Sequence, residues 1–223
     1  MKKNYTYLCK KIAITFLFML GISAQISAQD VYVDQTASGS NNGTSWTDAY
    51  TLLSDAFTNA SDGETIYVAK GTYTGLESST AFTIGNAITV KGGYPSGGGT
   101  QDIANNETIL DGSGARRILN ITKGSTLNGL TIQNGVETDF DGAGIRFASS
   151  CVIEYCIVKN NACSKAGDGD VLGGGIYAAF NLTMTNTIVT GNSVTSTGAT
   201  TTDEVRGGGV YVKGTLSATN CFF

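Results

Sequence analysis

The sequence predicts an all-β fold: a right-handed parallel β-helix solenoid with a helical cap at its N-terminal end. Three observations carry this expectation. A unit opening on a glycine-rich triplet occurs at 142–161, 173–192 and 207–223, its starts 31 and 34 residues apart. Self-similarity of that period marks units that bury their apolar faces only by stacking on one another. The composition is rich in turn formers, with 30 Gly, a single Pro and 14% charged residues, and it favours many short strands. Successive strand-like segments are separated by so few residues that no crossover helix fits between them, which excludes doubly wound α/β folds.

Residues 1–28 read as a secretory signal peptide. Lys2, Lys3, Lys10 and Lys11 form a basic start, residues 12–24 are apolar, and Ser27-Ala28 supplies the small residues of a cleavage site. The apolar run falls short of the roughly 20 residues that span a bilayer, and no later segment is suited to span as a helix. The segment holds four of the 14 basic residues and none of the 18 acidic ones. The remainder therefore carries 10 basic and 18 acidic groups, a formal charge of −8. Such a balance excludes a nucleic-acid binder, which needs a basic face.

Residues 29–63 are expected to form the cap. Residues 30–34 alternate as a strand, 38–44 form a turn-rich loop, and a helix is predicted over 47–60. Its apolar positions Ala49, Leu52, Leu53, Ala56, Phe57 and Ala60 fall on one face, with Ser45 or Thr47 as N-cap. A lone amphipathic helix needs an apolar surface to lie on, and the open end of a stack of strands offers one.

Residues 64–223 are expected to be the coils. Strand signals recur at 64–69, 71–73, 81–84, 87–91, 108–112, 117–121 and 127–135, with an excursion loop opening at Gly92. Aligning the repeats puts Ile145, Ile176 and Val210 in one inward column and Phe147, Ala178 and Val212 in a second. Arg146, Tyr177 and Tyr211 then face outward. Further inward columns hold Leu130, Cys156, Thr187 and Cys221, and beside them Ile132, Val158, Val189 and Phe223. Asn161 and Asn192 match at a turn, near Asn134 or Gly135, which predicts a stacked asparagine ladder. The pattern stops inside a strand at Phe223, so further coils and a C-terminal sorting or anchoring domain are expected to follow.

Four cysteines lie beyond residue 28. Stacking at about 4.8 Å per coil separates Cys156 from Cys221 too far for a disulfide, so these are expected to be buried thiols. Cys151 with Cys163 stays open as a pair. With no histidine and no C-x-x-C, a zinc site is not expected.

The glycine-rich triplets Gly142-Ala143-Gly144-Ile145, Gly173-Gly174-Gly175-Ile176 and Gly207-Gly208-Gly209-Val210 pair with Val158-Lys159-Asn160-Asn161 and Val189-Thr190-Gly191-Asn192. These resemble the G-G-A-[ILV] and F-x-x-N motifs of the pectin-lyase-like parallel β-helix superfamily, in its exported, polymorphic outer-membrane protein type. Gly stands where that type has Ala, and Val where it has Phe. The resemblance implies a secreted or cell-surface protein, outer-membrane associated in that type, that presents stacked faces and loops to a polysaccharide or a neighbouring cell's surface protein.

The superfamily also contains enzymes. Its hydrolases pair aspartates with a histidine, which this chain lacks; its lyases use Ca²⁺ on carboxylates and an Arg or Lys base. A Ca²⁺-dependent uronate lyase is thus the alternative reading, with Asp139, Asp141, Asp168, Asp170, Asp203 and Glu204 as candidate metal ligands before the glycine triplets. Asp-Gly is also ordinary turn chemistry. The candidate ligand-binding residues are Arg146, Tyr177, Tyr211 and Lys213, since stacked tyrosines can hold a sugar ring or simply pack across strands. Arg116-Arg117 reads as solvated charge.

Overall fold

The computed structural model describes residues 29–75, 79–198 and 203–223. The signal-peptide reading of residues 1–28 lies outside the described residues. Within them are 22 strands and one short helix, and every strand pairing is parallel.

From Thr65–Ala69 onward, three main sheets share the chain in strict rotation; Val31–Val33 adds an edge strand to the same sheet as Thr65–Ala69. One turn runs Ile145–Phe147 in the first sheet, Cys151–Glu154 in the second and Ile157–Lys159 in the third. The next turn repeats the order with Ile176–Ala178, Leu182–Thr185 and Ile188–Thr190. Each strand pairs with its counterpart one turn away: Ile145 with Ile176, Ile153 with Met184, Val158 with Val189. Two smaller sheets, built from Val136–Thr138, Ala162–Lys165 and Ser193–Ser196 and from Val171–Leu172 and Val205–Arg206, fill the return to the first sheet. Polar composition in the first of these sheets and two-residue strands in the second gave no strand signal in the sequence.

The interior is one main apolar column, with a small second cluster of Ala143, Cys163 and Val171 beside it. Ile118, Leu119, Ile121, Ile145, Phe147, Ile176 and Ala178 are fully buried from the first sheet, Leu127, Ile153, Leu182 and Met184 from the second, Ile132 and Val158 from the third. Alternation drives this: every second residue faces in, and β-branched chains fit the pleated surface. Thr187 is also fully buried, its hydroxyl donating to the Thr185 carbonyl at 2.9 Å.

The helix, α1, spans Leu53–Asn59 rather than 47–60, and no side chain caps it. Hydrogen bonding in the preceding loop explains the late start. Ser40 N–H donates to Asp48 Oδ1, Thr51 N–H to Asn41 Oδ1, and Tyr50 exchanges backbone bonds with Tyr32 and Asp34. Residues 48–51 are thereby held out of helical geometry, and Ser45 serves Asp48 in a turn instead. Leu52, expected on the buried face, is 44% exposed; Leu53, Ala56, Phe57 and Ala60 are buried in the core, Phe57 edge-on against Phe82 at 5.8 Å.

The excursion loop starts later than expected. The strand Thr89–Tyr94 continues through Gly92, where the close approach requires glycine: a Cβ there would lie 2.6 Å from the Gly129 carbonyl oxygen. All four described cysteines are free. Cys151 and Cys163 sit in separate apolar clusters, which removes the pairing left open by the sequence. Burial pushes the thiols of Cys151 and Cys163 up to about 11 and that of Cys156 up to about 12, so they stay protonated and inert.

Candidate binding surface

The outer face of the first sheet carries the predicted column. Register places Asn120, Arg146, Tyr177 and Tyr211 on successive turns, at one outward position. Outward alternation follows from Ile176 and Ala178 pointing into the core on either side of Tyr177. The Tyr177 and Tyr211 rings stack at 5.9 Å and 9°. Arg146 lies 6.0 Å from the Tyr177 ring centroid and Lys213 5.7 Å from it, both within cation–π range. Arg146 also donates to Asn120 Oδ1 at 3.3 Å.

The column is not uniformly accessible. Tyr177, expected to be outward and available, is 5% exposed, because Arg146, Tyr211 and Lys213 close around its ring. Lys213 is exposed and Tyr211 and Arg146 are half-buried, so these three form the accessible surface. A hydrogen bond to Tyr177, and then the field of that phenol and of Tyr211 and Asp141, raises the Lys213 ammonium above its ordinary value. Two cations beside an aromatic face on an otherwise acidic chain can hold an anionic group next to an apolar one.

Among the candidate metal ligands, two act as acceptors between turns. Asp141 Oδ1 accepts the Leu172 N–H at 2.8 Å and Asp170 Oδ1 accepts the Glu204 N–H at 2.8 Å. Burial raises the Asp141 carboxyl above its ordinary value, against the Leu172 N–H and the charges of Lys213, Arg146 and Arg117. Glu204 pairs with Arg206 at 3.0 Å on the surface. Asp139 and Asp168 are exposed, and Asp203 is half-buried with interactions of its own. Among the described residues no group of three or more Asp, Glu, Cys or His lies together as a metal site.

Two features were not legible as sites in the sequence. Arg117, read as solvated charge, is buried: it donates to the Gly142 and Asp141 carbonyls at 2.9 and 2.8 Å and pairs with Glu137 at 2.9 Å. Burial outweighs the pairing, so Arg117 lies below its ordinary value and Glu137 above its own. On the second sheet, Tyr32, Trp46, Tyr67 and Tyr94 join in a half-exposed aromatic cluster. The outward positions of Tyr32 and Tyr67 follow from alternation; the arrival of Trp46 from a loop leaves no sequence signal.

Fold and surface together define a nearly all-β protein of stacked parallel sheets with aromatic and cationic side chains aligned on its outer faces. Compared with protein-family models, with curated proteins and with solved structures, the chain matches none.

Proposed function

We propose that the chain is an exported, non-catalytic right-handed parallel β-helix of the pectin-lyase-like, polymorphic outer-membrane protein type, and that it binds a glycan at the cell surface or after secretion. In this reading residues 1–28 direct export, 29–63 cap the solenoid and 64–223 form its coils. The carrying observation is the ladder of Arg146, Tyr177, Tyr211 and Lys213, in which two cations flank a stacked tyrosine pair. A pyranose bearing a carboxylate complements that surface: its C–H face meets the Tyr211 ring and its anion meets Lys213, with Arg146 two turns along to meet the next acidic sugar.

The test is a glycan array followed by incubation with uronate polymers and Ca²⁺. Binding of acidic glycans without turnover supports the proposal. Release of unsaturated, ultraviolet-absorbing products would instead establish the lyase, with Asp139, Asp141, Asp168, Asp170, Asp203 and Glu204 then tested as Ca²⁺ ligands. Tyr211→Ala and Lys213→Ala are the informative variants, because truncating the enclosed Tyr177 would disturb packing as well as binding. Each is expected to weaken binding about fivefold or more, and unchanged affinity in both rejects this surface.

A further inference from the structure

The second sheet carries an aromatic assembly on coils that take no part in the Arg146–Lys213 ladder. Tyr32 and Tyr67 are register partners, each between buried aliphatic neighbours, so both rings stand on the outer face. A register shift after Tyr67 brings Tyr94 alongside. The rings close a circuit: Tyr32 to Tyr67 at 5.5 Å, Tyr67 to Tyr94 at 5.4 Å, Tyr94 to Trp46 at 5.5 Å and Trp46 to Tyr32 at 5.1 Å. Only the first contact is stacked. The others are tilted or perpendicular, at 41°, 59° and 90°, and all four residues keep part of their surface in solvent.

This assembly is held rigid. Gly98, at φ +94°, lays bare backbone on the indole: a Cβ there would lie 2.3 Å from Trp46 Cδ1. Its turn is fixed by Gly98 N–H donating to the Pro95 carbonyl and by Gly97 N–H donating to the buried Asp34 carboxylate at 2.7 Å. The Asp30 carboxylate lies near enough to Tyr67 for its charge, after burial, to push the phenol above its ordinary value, and Lys91 stands next to Tyr67 in register. The same outward row continues as Asn128 and Glu154, themselves joined by a 3.2 Å hydrogen bond.

We infer that Tyr32, Trp46, Tyr67 and Tyr94, with Asp30 and Lys91 at the rim, form a second binding site, for a neutral glycan lying along the solenoid axis. A pyranose has an apolar C–H face and a rim of hydroxyls, and the cluster offers ring surface within a rim of phenols, a carboxylate and an ammonium. Carboxylates of Asp30, Asp34 and Glu154 surround the rings against the single ammonium of Lys91, which favours a neutral polyol over a uronate. Four half-buried rings are far smaller than the roughly 800 Å² each partner buries in a stable protein complex, which favours a slender chain over a folded partner.

Trp46 is the only tryptophan in the chain, so its fluorescence reads this site alone. The full chain is titrated with cellohexaose, xylohexaose and chitohexaose, with oligogalacturonate as the anionic control. A saturable spectral change with a neutral oligomer, absent with the control, is expected. Tyr94→Ala should weaken it about tenfold, the upper end of an aromatic contact's worth. Tyr67→Phe keeps the ring and the fold while removing one phenol from the polar rim, and should weaken it less. Tyr211→Ala should leave it intact, which separates this site from the ladder. No response to any of the three neutral oligomers, an equal response to oligogalacturonate, or an unchanged affinity in both Tyr94→Ala and Tyr67→Phe overturns the inference.

Discussion

Asp111 illustrates how single polar residues hold the turns. It ends the strand Thr108–Asp111 and accepts from Gln133 Nε2 at 2.9 Å, Asn134 Nδ2 at 2.8 Å and Ser113 N–H at 2.6 Å. Burial alone would raise its carboxyl, but the three donors together hold it below its ordinary 3.8. Since the folded value lies below the unfolded one, the stabilisation is complete above about pH 4–5 and is lost as pH falls through the folded value. Asp111→Asn should therefore flatten the acid limb of stability below pH 4. The loss at neutral pH should be about 1–2 kcal/mol. Denaturant midpoints measured across pH 2–7 check both, and an unchanged acid limb removes Asp111 from the account. Arg117 makes the complementary point: adjacent arginines look like solvent-facing charge, and only the return loop carrying Glu137, Asp141 and Gly142 makes one of them a buried strut.

At the scale of the element, the asparagine ladder was predicted in place and corrected in extent. Asn161 Nδ2 donates to Asn192 Oδ1 at 2.8 Å and to the Ile132 carbonyl at 3.2 Å, while its Oδ1 accepts the Gly135 N–H at 2.8 Å. Gly135, not Asn134, is the rung beneath; Asn134 lies one position earlier, at φ +60°, and turns to Asp111. Asn161 is fully buried and Asn192 half-buried. Removing the first side chain takes the acceptor from the buried Gly135 N–H and a donor from the Ile132 carbonyl, while Asn192 Oδ1 keeps the backbone N–H of residue 161 at 3.0 Å. Asn161→Ala should cost about 2–4 kcal/mol, and Asn192→Ala clearly less. Equal losses in the two variants would mean that burial does not set the ladder's energetics. Periodic apolar columns were legible because period-2 alternation constrains every residue of a strand. The start of α1 was not, since loop hydrogen bonds to Asn41 and Asp48 override an amphipathic pattern that continues through them.

For the whole molecule, each ladder joins residues a full turn apart in sequence, as Ile145 with Ile176, and within the first sheet each strand is hydrogen-bonded only to its immediate neighbours. Stability in such an array is a sum of nearest-neighbour terms, so damage at one end need not reach the other. The helix α1 is the test of that idea. Phe57 packs edge-on against Phe82, from the first strand of the first sheet, and Leu53 and Ala56 are buried with it. Phe57→Ala removes an aromatic plug for which nothing nearby can substitute, at a cost of about 3–5 kcal/mol. In a single cooperative unit that loss would lower amide protection equally everywhere. In a nearest-neighbour array it falls on Val31–Val33, Thr65–Ala69 and Thr80–Ile84, while Cys151–Glu154 and Leu182–Thr185 keep theirs. Hydrogen exchange followed strand by strand in the variant decides between the two, and a uniform loss would require the stacked sheets to unfold as one body.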